Sequence, residues 1–427
     1  MGARFQSRAL FDRCIVFMVS LVVGLVINSL HPQHLLQGDE GDYFELASRF
    51  ADTFQYGQPG QWAYRAPLYP LLLGIVFFFF PASLAAAHVL NSLLAAGMVV
   101  GAATLVQRYT HKRRPVYVSA VTMMLNSYWW LHQQVLMQEN LAALLLVASV
   151  VMLPRWKLAD PMRLVFRKHW RSLLASGTLF GLSQLAKPAL IPMFLCLPFA
   201  TMLLGPANNK RTQYAIAVAF LATSLLPVAP WALRNYLLLG EFVPFTTGSG
   251  EVFYGAHSRH MASDPGMWRN IQLPDDSRRQ LAETDRIEFE LLSSRLKWEA
   301  GLDEISRTPW SVLLRHFGMK VVRLWSPSTY FAADQVPPGI KTALVIWNTI
   351  VLAMFLYGVA TCGPDRVIHF ALIAALTTTA LVFWGTIRFQ YNLWPIIAAL
   401  ATVGLVQIEE KFLAEGRQNG DGSSPTE

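Results

Sequence analysis

The chain has 427 residues, and 35 Lys and Arg against 27 Asp and Glu give it a formal net charge of +8. Only 15% of its positions are charged whereas 53% are hydrophobic, a composition that excludes an ordinary soluble protein. Its three cysteines, Cys14, Cys196 and Cys362, show no CxxC spacing, so neither a disulfide framework nor a zinc site is indicated. The absence of a Walker-type loop and of a GxGxxG motif leaves ATP and dinucleotide chemistry without support.

Ten apolar stretches predict an all-α, polytopic membrane protein, because about 20 helical residues cross ~30 Å of hydrocarbon. The first follows Arg4, Arg8 and Arg13 but lacks a small-residue cleavage site, so we interpret it as a retained helix rather than a signal peptide. The predicted spans are residues 14–30, 83–106, 116–135, 140–153, 173–186, 189–204, 214–233, 343–360, 367–386 and 393–407. An eleventh stretch, residues 66–80, is short and flanked by prolines, which is typical of a re-entrant or interfacial helix.

Charge balance then predicts the orientation, since cytoplasmic loops collect Lys and Arg. With ten spans, the inner ends hold 18 Lys and Arg and the short outer loops hold four. Both termini are therefore expected in the cytoplasm. The basic residues of these inner loops are explained by anionic lipid headgroups, so no nucleic-acid partner is indicated.

The predicted organisation has four parts. Residues 1–233 form an N-terminal membrane module whose first outer loop (31–80) is the expected catalytic loop, 234–338 form an outer-face segment, 339–407 form the C-terminal spans, and 408–427 form a disordered cytoplasmic tail. Apolar residues between 287 and 305 recur at helical spacing and predict an amphipathic helix that ends before Pro309. Residues 310–325 mix basic and apolar side chains and predict a helix in the membrane interface.

Three carboxylates, those of Asp39, Glu40 and Asp42, lie within four residues where the chain leaves the first span. One interpretation is helix capping, in which Asp39 starts a helix whose apolar face begins at Tyr43. The other is that one of these carboxylates acts as a general base on an acceptor hydroxyl. The two interpretations are compatible, because a capping position also fixes a carboxylate in space.

Five further ionisable groups are predicted at the outer mouths of the spans. Arg65 precedes a Pro-Leu-Tyr-Pro run, and its guanidinium is either a snorkelling anchor or a ligand for a lipid-linked phosphate. Glu139, Lys187, Arg234 and Arg388 lie at the ends of other spans, where ionisable side chains are costly and favour a function. An enzyme that uses an anionic lipid donor would require this arrangement, and a transporter of anionic solutes would look similar.

The order of several short motifs resembles the bacterial GT-C superfamily of glycosyltransferases over roughly residues 1–407. Within that superfamily it is most similar to the group related to protein O-mannosyltransferases and to the lipid A aminoarabinose transferase. The motifs are GDExxY from Gly38, RxPLYP from Arg65, Glu139 at a helix start, GLxxLAKP ending at Pro188, PWxxRNY from Pro230, GxFVP from Gly240, Pro309 before an interfacial helix, and Arg388-Phe389 ahead of Pro395.

The resemblance implies an inverting transfer of a sugar from a polyprenyl-phosphate donor to an acceptor at the outer face of the inner membrane. It implies that Asp39 is the catalytic base, that Glu40 is its neighbouring acid and that Glu139 is a second functional acid. Arg65 would hold the donor phosphate, with Lys187, Arg234 and Arg388 as further phosphate ligands and Asp42 and Tyr43 beside the substrate. The chain is shorter than the larger members and lacks their substantial C-terminal soluble domain, which leaves the acceptor open among a glycan, a lipid and a protein.

No cofactor is expected, although the acids leave a divalent metal open. The main alternative is a transporter or flippase of a lipid-linked or anionic solute, which predicts ionisable groups near mid-membrane and an inverted repeat. A third hypothesis is a non-catalytic subunit of an envelope assembly, in which the acidic cluster only caps a helix.

Overall fold

The computed structural model describes residues 2–30, 36, 38–58, 60–154, 162–196, 210–258, 263–329 and 336–421. Helices joined by turns and loops make up these residues, and the one β feature among them is an isolated bridge between Gln58 and Gln61. The all-α class predicted from composition is therefore confirmed. The predicted span 189–204 extends beyond residue 196 into a stretch that lies outside the described residues.

The N-terminal half supplies the first eight helices. They are α1 (Gly2–Leu30), α2 (Asp39–Thr53), α3 (Leu68–Phe79), α4 (Leu84–Val106), α5 (Arg114–Met124), α6 (Ser127–Gln134), α7 (Glu139–Met152) and α8 (Met162–Ala186). The rest of the described chain forms α9 (Lys210–Leu225), α10 (Val228–Leu239), α11 (Ser249–His257), α12 (Asp275–Ala282), α13 (Arg286–Arg307), α14 (Trp310–Leu324), α15 (Pro338–Thr361), α16 (Arg366–Val382), α17 (Ile387–Gln390) and α18 (Trp394–Asp421).

Five stretches of the described chain are long and apolar enough to cross a membrane, and α9 with α10, which meet at a 50° bend, could form a sixth. The five are Ser7–Leu30, Leu84–Val106, Pro338–Thr361, Gly363–Val382 and Ile387–Glu415. These helices make the chain a multi-pass membrane protein, but ten spans remain a prediction. Predicted span 140–153 corresponds to α7, which has 14 residues. Predicted span 116–135 is broken into α5 and α6, because the Asn126 side chain accepts a hydrogen bond from the backbone N–H of Tyr128 at 2.8 Å and starts a new helix.

The final long helix, α18, lies in the centre of the core, and most of its residues between Trp394 and Val406 are buried. Its crossing with α15 is close because Gly358 and Gly404 lie at the contact, where an added Cβ would collide with the facing backbone. The helix continues to Asp421, within the stretch 408–427 for which the disordered cytoplasmic tail stays a prediction. Helix-favouring Glu and Lys residues between 409 and 415 account for this continuation.

The first outer loop folds into a pair of helices, α2 and α3, packed against each other. The helix predicted to start at Asp39 is confirmed, and Tyr43, Leu46 and Ala47 form its buried face. Helix α3 has 12 residues and ends at Phe79, which is short for a full crossing and agrees with the interfacial interpretation of residues 66–80. This hairpin holds the acids of α2 against the ends of the membrane helices.

The outer-face segment contains both helices predicted for it. The amphipathic helix expected over residues 287–305 is α13, and the basic helix expected over 310–325 is α14. Helix α13 packs against α11, and its residue Glu290 contacts the first outer loop. The segment therefore forms a cover over the loop that precedes Arg65.

Candidate active site

Six ionisable side chains from five separate parts of the chain converge at one end of the helices. Asp39 and Asp42 start α2, Arg65 precedes α3, and Glu139 starts α7. The last two side chains are Lys187, which follows α8, and Arg388, which lies in α17. We call these six residues the charge cluster. Its three acids and three cations balance at neutral pH.

Arg65 joins the two acids of α2. Its Nη2 donates to Asp39 Oδ1 at 2.7 Å and to Asp42 Oδ2 at 2.6 Å, and its Nε donates to the same Asp42 oxygen at 3.0 Å. Burial works to lower the pKa of the Arg65 guanidinium, but Tyr43 and the two carboxylates outweigh it and hold this pKa above its ordinary value. Arg65 is therefore a permanent cation that fixes the Asp39 side chain.

Glu139 is the centre of the buried half of the charge cluster, and its side chain is fully enclosed. Lys187 Nζ donates to Glu139 Oε1 at 2.7 Å, and Arg388 Nε donates to the same oxygen. His132 Nε2 lies 3.7 Å from the other oxygen, Oε2. Two cations around one enclosed carboxylate leave a positive balance in this half, as a site for an anionic ligand requires.

Arg388 links the two halves of the charge cluster. While its Nε binds Glu139, its Nη2 lies 3.6 Å from Asp39 Oδ2. Asp39 thus faces Arg65 with one oxygen and Arg388 with the other, and one third of its side chain remains exposed. The carboxylate is held in a fixed orientation and is still reachable from outside.

The capping interpretation of Asp39 has little support in this geometry. The N-cap of α2 is Gly38, which makes no side-chain cap hydrogen bond, and Asp39 is the first residue of the helix. An acid in the first turn still interacts favourably with the helix dipole. The hydrogen-bond partner of the Asp39 side chain is nevertheless Arg65 rather than the backbone of α2.

Glu40 lies apart from the charge cluster. Its side chain is buried, and its Oε1 accepts a hydrogen bond from the backbone N–H of Leu136 at 2.8 Å. Leu136 belongs to the connection between α6 and α7, three residues before Glu139. Glu40 therefore holds the start of α7 in place against α2.

Tyr43 and Arg234 both contact residues of the first outer loop. The Tyr43 ring packs edge-on against Tyr69 at 5.6 Å, and the Arg65 guanidinium carbon lies 5.7 Å from its centre. Arg234 donates to the backbone carbonyls of Tyr56 at 2.6 Å and Trp62 at 2.8 Å. Arg234 contacts none of the charge cluster in the described residues, so we propose that it positions this loop.

Sequence patterns missed Glu290, a buried acid that binds the first outer loop. Its carboxylate accepts hydrogen bonds from the backbone N–H groups of Trp62 at 2.5 Å and Ala63 at 2.9 Å, and from the Thr247 hydroxyl at 2.5 Å. Glu290 lies beside Leu291 on the apolar face of α13. A carboxylate on an apolar stripe is the sequence signal that could have identified it.

We expect Glu290→Ala to destabilise the protein by about 2–4 kcal/mol, because two buried backbone N–H groups lose their acceptor. Thermal unfolding of the purified protein measures this change. Glu288→Ala, two residues away at an exposed position of α13, is the matched control and should leave stability within about 0.5 kcal/mol. Equal stability of both variants would contradict the assigned role of Glu290.

Two neighbours of Glu139 also escaped sequence analysis. His132 stacks on the Tyr391 ring at 4.7 Å, and the Tyr391 hydroxyl donates to Asn140 Oδ1 at 2.8 Å. Nothing in the spacing of these residues indicated a contact, since they lie in separate apolar stretches. In the described residues, no group of three or more His, Cys, Asp or Glu side chains is arranged to hold a metal ion.

The chain shares its fold with solved structures of the GT-C superfamily, the superfamily that the motif order predicted. Two similar solved structures are of the oligosaccharyltransferase AglB from Archaeoglobus fulgidus. The complex with an inhibitory peptide and a dolichol-phosphate is 15% identical at a TM-score of 0.54, covering 96% of this chain and 52% of that one. The apo form is 13% identical at a TM-score of 0.56, covering 97% and 52%.

A third similar structure is ArnT from Cupriavidus metallidurans bound to undecaprenyl phosphate. It is 13% identical at a TM-score of 0.41, with 95% of this chain and 78% of that one covered. No protein-family model and no curated protein sequence matches the chain. The chain spans about half the length of the oligosaccharyltransferase, so the similarity concerns the fold.

Proposed function

We propose that the protein is an inverting glycosyltransferase that moves a sugar from a polyprenyl-phosphate donor to an acceptor hydroxyl or phosphate. The observation that carries the proposal is the position of Asp39, which is partly exposed and faces Arg65 with one oxygen and Arg388 with the other. The fold adds support, because a structure with the same fold contains a dolichol-phosphate. The acceptor would be an envelope glycan, a lipid or a protein.

In the proposed reaction, Asp39 accepts or orients the proton of the acceptor hydroxyl. The acceptor oxygen attacks the anomeric carbon through an oxocarbenium-like state, while the bond from that carbon to the phosphate oxygen breaks. The bonding electrons leave with the polyprenyl phosphate, and the configuration at the anomeric carbon is inverted because the attack is a single displacement. Arg65, Lys187 and Arg388 stabilise the negative charge that develops on the leaving phosphate.

The equal numbers of cations and carboxylates in the charge cluster fit the binding of a donor phosphate. Each cation is paired with a carboxylate, so an entering phosphate exchanges one anionic partner for another rather than filling a site of bare positive charge. Lys187 and Arg388 share the single carboxylate of Glu139, so their positive charge is the least neutralised in the charge cluster. We therefore place the donor phosphate beside these two side chains.

The transporter alternative gains no support from the position of the charges. Glu139 starts α7, Lys187 follows α8 and Arg388 precedes α18, so the charge cluster lies at helix ends rather than at mid-helix. Basic residues at the opposite end of α4 and α7, such as Arg108, fit the proposed cytoplasmic side, because Arg108 binds the last carbonyls of α7. These positions support the proposed inner-membrane orientation with the site on the outer face.

The proposed reaction is tested by the stereochemistry of its product. Purified protein is supplied with a polyprenyl-phosphate sugar of known anomeric configuration and with membrane extract as acceptor, and the new linkage is examined by NMR. We expect the opposite configuration in the product and one polyprenyl phosphate released per sugar transferred. Retention of configuration would contradict a single displacement with Asp39 as base.

We expect Arg65→Lys to weaken use of the donor by about tenfold while membrane insertion stays normal. Lysine keeps the charge but lacks the planar fork that binds Asp39 and Asp42 together. Initial transfer rates at varied donor concentration measure the effect. Arg49→Lys, on α2 but outside the charge cluster, is the control, and unchanged donor affinity in Arg65→Lys would remove Arg65 from the site.

A further inference from the structure

A cavity lies on the outer-face segment, between the end of α11, the end of α13 and the start of α14. Its volume is about 680 Å³, and no residue of the charge cluster lines it. A cavity of this size accommodates a small organic ligand. Pro265 lines it, and the carbonyl of the next residue, Gly266, accepts from the backbone N–H of Gly385 at 3.0 Å, three residues before Arg388.

The wall of this cavity is basic. Arg307 and Arg315 both line it, and Glu304 is the one carboxylate among the lining residues. Arg307 pairs with Asp303 on the exposed surface of α13 at 2.8 Å, whereas Arg315 forms no ion pair with the described residues. A ligand with one negative charge or more would be attracted to these two guanidinium groups.

Two of the lining residues each carry a buried polar atom that has no hydrogen-bond partner among the described residues. These atoms are His257 Nδ1 and Ser258 Oγ, and their side chains are 6% and 3% exposed. Neighbouring His316 differs, because its Nδ1 accepts from the Gly266 N–H at 3.0 Å and its Nε2–H donates to the Ala256 carbonyl at 2.7 Å. A buried polar atom without a partner is costly, so a ligand that supplies partners would be bound more tightly.

The protonation of His257 can be assigned from its surroundings. Burial and the adjacent Lys320 lower the pKa of the His257 imidazole to about 3, so the ring is neutral. Its Nε2 lies 2.8 Å from the Val382 carbonyl and 3.1 Å from Lys320 Nζ. Because the carbonyl oxygen can only accept, we assign the hydrogen to Nε2. Nδ1 is left with a lone pair, which accepts a hydrogen bond from a ligand hydroxyl.

We propose that this cavity binds an anionic saccharide, with its phosphate or carboxylate on Arg307 and Arg315 and its hydroxyl groups on His257 and Ser258. Val312 and Leu313 supply an apolar wall for a sugar-ring face. Assigning this saccharide as the acceptor of the transfer rests on the proposed function. Binding itself does not depend on that assignment, and the experiment measures binding.

The full chain in phosphatidylcholine nanodiscs is titrated with glucose 6-phosphate, glucose and inorganic phosphate by isothermal calorimetry. We expect glucose 6-phosphate to bind more tightly than either of the other two. Arg315→Ala should weaken its binding about tenfold. Ser258→Ala should weaken it about fivefold without lowering the midpoint of thermal unfolding, because the hydroxyl has no hydrogen-bond partner among the residues that the structure describes.

Arg279→Ala, an exposed arginine on α12 outside the cavity, is the matched control and should leave binding unchanged. Asp39→Asn should also bind normally, so a failure of transfer is distinguishable from a failure of binding. No binding, equal binding of glucose or phosphate, or an unchanged affinity in Arg315→Ala would each overturn the proposal. Loss of binding in phosphatidylglycerol nanodiscs would assign the cavity to a lipid headgroup and would overturn it as well.

Discussion

Replacing Asp39 by Asn is expected to reduce sugar transfer by about 10²–10⁴-fold while the protein folds and inserts normally. The amide keeps the size of the carboxylate but has no charge to accept a proton from the acceptor hydroxyl. The site should otherwise survive, because Arg65 retains Asp42 and Arg388 retains Glu139 as partners. Transfer rates with wild-type and variant protein at matched levels measure the loss.

Asp42→Asn is the matched control for Asp39. Both residues bind the same arginine, both are about one third exposed, and both variants remove one negative charge beside Arg65. They differ because only Asp39 also faces Arg388. We expect a loss of no more than about tenfold for Asp42→Asn. If both variants lost the same activity, the loss would come from removing a negative charge beside Arg65 and not from removing a catalytic base at Asp39.

Replacing Glu139 by Gln is expected to destabilise the protein by about 3 kcal/mol or more, because removing one partner of a buried ion pair leaves the other charge uncompensated. Here two cations, Lys187 and Arg388, lose their common carboxylate in an enclosed site. Transfer should fall as well, since Arg388 is no longer held beside Asp39. The midpoint of thermal unfolding and the yield of folded protein measure the first effect.

The double variant Glu139→Gln with Lys187→Met separates stability from activity. Removing Lys187 takes away a buried cation that has lost its carboxylate, whereas Arg388 still faces Asp39, so much of the lost stability should return. Transfer should stay low, because the proposed phosphate ligand Lys187 is missing. Wild-type stability of Glu139→Gln alone would show that the buried ion pairs do not hold these helices together.

Much of the site could be predicted because charged residues in apolar sequence are few. The depth of Glu139, Lys187 and Arg388 at the ends of apolar stretches marked them as functional candidates, and the motif order associated them with Asp39 and Arg65. The structure brings these five residues together. Helix ends can be found from sequence, so the residues that share one membrane depth can be found as well.

The lateral neighbours of a residue could not be predicted in the same way. Glu40 and Asp42 are both acids beside Asp39, but helix geometry turns Glu40 towards Leu136 and Asp42 towards Arg65. Arg234 was expected at the end of a span but lies in the middle of α10, and its guanidinium binds the loop backbone. Which helices meet side by side depends on packing of the whole bundle, and periodicity in one segment does not contain that information.

Some features of the fold could likewise be predicted from the sequence, and others could not. Helices α13 and α14 follow from their amphipathic patterns, and the all-α class follows from composition. The break between α5 and α6 depends on a single capping side chain, Asn126, inside an apolar stretch that reads as continuous. A hydropathy pattern averages over such a residue and therefore does not show where the stretch is broken.

We propose above all that the protein breaks the bond between a sugar and a polyprenyl phosphate. The most direct measurement uses the purified wild-type protein in proteoliposomes with a radiolabelled undecaprenyl-phosphate sugar and an envelope extract. We expect labelled donor to disappear as an equal amount of undecaprenyl phosphate and of labelled acceptor appears. Donor that crosses the bilayer intact, with no undecaprenyl phosphate released, would contradict sugar transfer and favour a transporter.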